Sequence, residues 1–171
     1  MASFSFGPYR LAMIALLATL ASSPAMAQDG GRNLGPSGLP LPRFASLASS
    51  EVNARTGPST DHPIRWVYTR VGLPVKIVEE FDVWRRIEDP DGETGWAHSS
   101  LLSMKRTGMV TGDGPQEMRR SADPEARVVA RVQPGVIGEL QGCDGGWCRL
   151  EVNGERGWLP RERIWGVGSG E

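Results

Sequence analysis

Residues 84–102 read WRRIEDPDGETGWAHSSLL, and residues 147–164 read WCRLEVNGERGWLPRERI. In both, a Trp opens a short run of alternating apolar and polar residues, a polar turn with Gly follows, and Gly-Trp opens the next run. Alternation with a period of two, interrupted by turn residues, is the pattern of two β-strands joined by a tight turn. Its return means that the chain carries the same small β-unit twice. The flanking sequence agrees. Gly135-Val136-Ile137-Gly138 answers Gly72-Leu73-Pro74-Val75, and Ser121-Ala122-Asp123-Pro124 answers the Gly57-Pro58-Ser59 loop. Glu117-Met118-Arg119-Arg120 answers Asn53-Ala54-Arg55-Thr56, and the offset stays between 62 and 64 residues throughout.

Within the first copy, residues 44–47 and 52–55 read as short strands, the latter alternating apolar and polar. The Gly- and Pro-bearing stretch 56–63 cannot continue a ladder and is expected as a loop. Ile64, Trp66 and Tyr68 alternate with Arg65, Val67 and Thr69 as an amphipathic strand, and the β-branched run 75–80 suits another. Residues 99–102 close the unit as a 3₁₀ turn with a last short strand. Neither copy offers an amphipathic helix. The fold class is therefore all-β, built as two tandem small β-barrels. Units of about 60 residues lie near the lower limit for an independent core, so the copies should pack together or carry a staple.

The N-terminus has a different character. Residues 1–10 carry one positive charge, residues 11–21 (LAMIALLATLA) are apolar but too short to span a bilayer, and Ser22-Ser23-Pro24 breaks the run. Ala25-Met26-Ala27 then offers a small-x-small cleavage site, so residues 1–27 are expected as a cleaved signal peptide. Residues 28–43 are rich in Gly and Pro without an apolar period and are expected as a flexible linker. The barrels are placed at 44–104 and 105–167, with a disordered tail at 168–171.

Cleavage would remove only Arg10 among the charged residues, leaving 18 basic against 20 acidic side chains. That balance argues against nucleic acid as a partner, and no later run is long enough to insert in a membrane.

The residues Val52-Asn53-Ala54-Arg55-Thr56-Gly57-Pro58, then Gly72-Leu73-Pro74-Val75, Trp84-Arg85-Arg86-Ile87 and Gly95-Trp96-Ala97 resemble the bacterial SH3 (SH3b) family. The layout of an export signal, a Leu-Pro-Leu-Pro lead-in and two such units is similar to exported SH3-like proteins of proteobacteria. The resemblance implies SH3-like barrels and a non-catalytic binding role at the cell envelope. Either peptidoglycan stem peptides or a periplasmic protein would be the target, with the chain periplasmic or secreted. By the same resemblance, Trp84 and Trp147 hold the position that lines a ligand groove, where strand starts after turns should leave the rings half exposed. Gly157-Trp158-Leu159-Pro160 resembles a second wall, so Trp158 and Pro160 join Trp96, Asn53 and Arg55 as groove candidates. Core packing is the competing reading for all six Trp, because aromatics supply much of the burial in a small barrel. The second copy departs from the Asn-x-Arg signature at Glu117, which puts its first loop in doubt as a contact.

Cys143 and Cys148 flank Asp144-Gly145-Gly146, turn residues that set the two Cys opposite each other at the top of a hairpin. In an exported small barrel this spacing reads as a structural disulfide, with a labile disulfide or free thiols as the alternatives. Redox catalysis would use Cys-x-x-Cys at a helix N-terminus, which is missing. A zinc site would need about four ligands, and only His62 and His98, both from the other unit, could join. Arg85, Arg86 and Arg149 stand near the Trp residues, either as contacts to a ligand carboxylate or as the solvated face of a strand. No Ser/His/Asp set or acidic pair is suggested, since Glu79 and Glu80 fall on opposite faces of a strand. No cofactor is expected. A structural or assembly factor that docks a periplasmic partner without wall binding is the second reading.

Overall fold

The structure, a computed structural model, describes residues 33–168 together with Met1 and Ser3. The expected signal peptide, the linker up to residue 32 and tail residues 169–171 lie outside the described residues.

The first copy is a seven-stranded antiparallel sheet. It holds β1 (Arg43–Leu47), β2 (Val52–Arg55), β3 (Ile64–Tyr68), β4 (Pro74–Phe81), β5 (Trp84–Glu88), β6 (Thr94–His98) and β7 (Leu102–Ser103) in the order β3-β2-β6-β5-β4-β1-β7. The second copy holds β8 (Thr107–Val110), β9 (Gln116–Arg119), β10 (Val128–Val132), β11 (Ile137–Asp144), β12 (Trp147–Val152), β13 (Glu155–Pro160) and β14 (Ile164–Trp165). Its order, β10-β9-β13-β12-β11-β8-β14, is the same, position for position. A 3₁₀ turn, Ser99–Leu101 or Arg161–Arg163, leads into the last strand of each copy. This is the all-β architecture of two tandem SH3-like barrels.

Alternation explains the cores. Val52 and Ala54 of β2, Val75 and Ile77 of β4, Ile87 of β5 and Ala97 of β6 face inward and are buried. Met118, Leu150, Cys148 and Leu159 do the same in the second barrel. Burying a side chain such as Ile87 or Leu150 is worth about 1.5–3 kcal/mol. The diverging turns need glycine, because Gly72 and Gly135 both sit at positive φ, 77° and 82°.

The duplication extends to irregularities. A register shift falls between Ile77 and Glu79 in the β4–β5 hairpin and between Leu140 and Gly142 in the β11–β12 hairpin. Beyond it, Glu80 pairs with Arg85 in the first copy and Cys143 with Cys148 in the second. The two cysteines form a disulfide. Closing so short a loop, with a sequence separation of 5, stabilises by about 2 kcal/mol in the chain-entropy account. The same hairpin position thus carries a covalent staple in one barrel and an ion pair in the other.

Glu80 is buried while its neighbour Glu79 is exposed, as the alternation of faces requires. Its carboxylate is 1% exposed and takes Arg43 Nη2 at 2.5 Å and Arg85 Nε at 3.1 Å. It also accepts the Ser37 backbone N–H at 2.9 Å and the Ser37 hydroxyl at 2.8 Å. Arg85, considered above as a ligand contact, is therefore committed within the fold. These bonds reach into the described part of the stretch expected as a linker. Residues 33–42 form a turn in which Gly35 N donates to Leu39 O and Leu41 N to Asn33 O, and Arg43 already opens β1. Leu41 packs against the barrel 1 core. The Gly- and Pro-rich composition marked a chain without its own period, whereas its order comes from a partner 43 residues away.

The barrels are joined by packing as well as by chain. Met109 and Ile137 lie against the barrel 1 core. Thr107 Oγ1 donates to Gly72 O at 2.7 Å, and Arg70 Nη2 donates to Gly135 O at 2.8 Å. The two equivalent turns are thus each capped from the opposite barrel. Phe44 meets Trp165 edge-on at 5.1 Å, with the Arg106 guanidinium 5.8 Å from the Phe44 ring centre.

Candidate functional site

Directly paired residues of neighbouring antiparallel strands project from the same face. Arg86 of β5 pairs with Trp96 of β6, and Trp96 pairs with Arg55 of β2. Their inward neighbours Ile87, Ala97 and Ala54 are buried, so the row Arg86–Trp96–Arg55 lies on the outer face of barrel 1. The second barrel repeats it as Arg149–Trp158–Arg119. Glycine makes the row possible. A Cβ on Gly95 would come within 2.8 Å of Ala54 Cβ, and one on Gly157 within 3.0 Å of Met118 Cβ. The Gly before each Trp therefore allows β6 and β13 to approach β2 and β9 closely, and the following indole lands beside the arginine.

In barrel 1 the row borders a cavity of about 290 Å³ lined by Arg55, Thr56, Arg65, Arg86, Thr94, Gly95 and Trp96. Its electrostatics are those of a weakly compensated cationic site. Arg65 reaches Glu93 at 3.4 Å and Arg86 reaches Glu79 at 3.3 Å, both pairs exposed. Exposed pairs of this length contribute little and yield readily to a ligand. Arg55 donates through Nη1 to the carbonyls of Thr60 at 3.0 Å and His62 at 2.8 Å. That fixes the guanidinium and ties down the 56–63 loop, where the His62 ring lies over Gly57.

The other candidates are distributed unevenly. Trp84 shares the outer face with Arg86 but is 9% exposed, its ring edge-on to His98 at 5.6 Å. The expectation of a half-exposed Trp84 is corrected: the strand start follows a turn, but the cross-strand His98 covers the ring. Trp147 is half-buried and pairs with Pro160, the residue in the place of His98. Asn53 lies two residues from Arg55 on the same face of β2 and pairs with Val67. Trp96, Arg55 and, at its margin, Asn53 are thus brought together, while Trp147, Trp158 and Pro160 form the corresponding face of barrel 2. Arg65 was missed by the sequence reading. Its alternation with Ile64 and Trp66 placed it on a strand face, but only the fold sets it beside Arg55. Arg119 was aligned with Arg55 but not singled out, because Glu117 in place of Asn53 set the second copy's first loop aside as a contact.

Asp89 Oδ1 accepts the N–H groups of Asp91 and Glu93, which makes the 89–93 stretch a carboxylate-capped turn. Tyr68 donates its hydroxyl to Asp89 at 3.1 Å, and burial, followed by the Asp89 charge, raises its pKa. His98 accepts the Ser100 N–H at the start of the 3₁₀ turn. Among the described residues no group of His, Cys, Asp or Glu side chains has the arrangement to hold a metal ion.

Two duplicated barrels, each with an Arg–Trp–Arg row on its outer face, define a small β-barrel of the SH3 class presenting a polar aromatic surface. The bacterial SH3 domain family matches residues 48–104 and 112–166, and the protein belongs to that family. Domains of this family are typically cell-wall binding modules. The chain is 29% identical over 137 residues to the Bacillus subtilis (strain 168) protein named "Putative N-acetylmuramoyl-L-alanine amidase YrvJ", a match taking in 73% of this chain and 26% of that one. It therefore spans about a quarter of that relative's length. Among solved structures it is similar to an NlpC/P60 family protein from Bacillus cereus ATCC 10987, at 12% identity and TM-score 0.33, covering 71% of this chain and 55% of that one. It is similar to NlpC2 from Trichomonas vaginalis at 14% identity and TM-score 0.33, covering 72% and 48%.

Proposed function

We propose that the chain is an exported, non-catalytic binding protein whose two barrels, placed at 44–104 and 105–167, recognise peptidoglycan in the periplasm through their outer faces. The observation that carries this reading is the Arg–Trp–Arg row, which recurs at the same register in both copies and opens onto a polar cavity in barrel 1. Such a face pairs guanidinium donors with an indole surface, the combination suited to a peptide that carries carboxylates and short apolar side chains. The family and its amidase-named relative support the wall as target. No helix among the described residues is long and apolar enough to cross a membrane.

The test is co-sedimentation with purified sacculi. The wild-type chain is expected to pellet, and Trp96→Ala to lower the bound fraction at least five-fold, with Trp147→Ala having a smaller effect. Trp84→Ala should act through stability, since its ring is buried. Retention unchanged by Trp96→Ala would remove this face from the account.

A second reading is favoured by the free edge of barrel 1. Strand β3 borders the sheet and exposes Ile64 at 47%, Trp66 at 42% and Val67 at 51%. An unprotected apolar edge is a place where a partner protein adds a strand. Sedimentation that fails for the wild type, with Trp66 cross-linking to a protein in cells, would favour this docking role.

A further inference from the structure

The two barrels partner their equivalent arginines differently. In barrel 2, Arg119 occupies the register of Arg55: each pairs with the Trp of the row, and each donates Nη1 to a carbonyl of the following loop. The second guanidinium nitrogen of Arg119, Nη2, carries a carboxylate, Glu117 Oε2, at 2.9 Å. The other oxygen of Glu117 takes Arg131 at 3.1 Å, directly across the strand pair. In barrel 1 the residue at the Glu117 position is Asn53, and the one across from it is Val67. Among the described residues no carboxylate pairs with Arg55.

We infer that the barrel 1 cavity bounded by Arg55, Arg65, Arg86 and Trp96 binds a free carboxylate, and that barrel 2 instead neutralises the arginine equivalent to Arg55 with its own Glu117. This rests on the reading of the outer face as the binding face, and it names the ligand group that the face takes. Three chemical facts support it. Arg55 is held by Thr60 and His62, so a carboxylate meets a guanidinium already oriented, at little cost in side-chain entropy. Three guanidinium groups stand against the two carboxylates of Glu79 and Glu93, which leaves about one positive charge, matched by a monoanion and exceeded by a phosphate dianion. The duplicated barrel shows the interaction itself, with a carboxylate seated on the equivalent arginine. The chemical class is thus a monocarboxylate, of which the terminal carboxylate of a short peptide is the form matching the proposed target, entering a cavity of about 290 Å³.

The experiment is a titration of the ¹⁵N-labelled chain, followed at the Trp indole and Arg Nε signals, with N-acetyl-alanyl-alanine, its C-terminal amide and inorganic phosphate as separate probes. The acid is expected to shift Trp96 and Arg55 saturably, with the amide and phosphate each at least ten-fold weaker. Asn53→Glu supplies barrel 1 with the internal carboxylate of barrel 2 and should weaken the acid at least ten-fold, and several-fold more than Asn53→Gln, which has the same length without the charge. Glu117→Gln should open a second site that shifts Trp158. Amide or phosphate binding equal to the acid, or affinity unchanged in Asn53→Glu, overturns the assignment. The wall reading fails separately: acid binding without sedimentation on sacculi leaves the carboxylate site standing. Sedimentation undiminished in Asn53→Glu leaves the wall reading standing without this site.

Discussion

Replacing Glu80 by alanine is expected to destabilise the protein by about 3–5 kcal/mol, the cost of stranding a partner of a buried ion pair. Four interactions disappear at once. Arg43 and Arg85, 12% and 14% exposed, lose their carboxylate, and Ser37 loses the acceptor for both its N–H and its hydroxyl. Against a typical total of about 5–15 kcal/mol, that is a large share. It should appear as a drop in the urea midpoint and as proteolytic sensitivity in residues 33–42. The pH dependence follows from the same carboxylate. Burial, the largest single influence, disfavours its charge, but the Ser37 N–H, Arg43 and the Ser37 hydroxyl outweigh burial and lower its pKa from 4.5 to about 2. A carboxylate with a folded pKa below its unfolded one contributes fully above the unfolded value and loses that contribution as pH falls through the folded one. Stability should therefore decline between about pH 4.5 and 2 in the wild type, and more shallowly in Glu80→Ala. A loss below about 1 kcal/mol would show the cluster to be a surface-like pair of no consequence.

Gly95→Ala is expected to cost about 1–3 kcal/mol by overpacking and to weaken binding beyond that loss. The new methyl would meet Ala54 Cβ at 2.8 Å and the backbone of Ala54 and Arg55 at 3.4 Å. Neither neighbour is the free end of a flexible side chain, so β6 must move away from β2. The single pairing between these strands, Arg55 with Trp96, is what sets the guanidinium beside the indole. The fold-change in sacculus binding should thus exceed that of a core variant of equal stability loss, such as Ile77→Val. Equal effects from the two would mean that the β2–β6 spacing does not position the site.

Local signals in the sequence carried most of the fold. The Trp-opened hairpins, the Gly72 and Gly135 turns and the alternation in residues 52–55 and 75–80 each depend on neighbours within a few positions, and each forms the element expected. The Cys143–Cys148 bond was equally legible, because turn residues between the cysteines determine their pairing. Interactions across long separations were hidden. Glu80 finds Arg43 37 residues away and Ser37 43 residues away, so neither the buried ion cluster nor the order of residues 33–42 has a local signature. For the site, the residue types were visible but their companionship was not. Trp96 and Arg55 stood as separate candidates, whereas Arg65 joined them only through the pairing of β3 with β2. Trp84 shows the converse: position in the strand was read correctly, but the covering residue, His98, comes from another strand.

Tryptophan footprinting on the sacculus-bound chain tests most directly the proposal that the outer face of barrel 1 meets the wall. Hydroxyl-radical oxidation, read by mass spectrometry with and without sacculi, reports each of Trp66, Trp84, Trp96, Trp147, Trp158 and Trp165 separately. Protection of Trp96 upon binding, with Trp66 as reactive as in the free chain, is the predicted result. Protection of Trp66 on the β3 edge, with Trp96 unchanged, would contradict it.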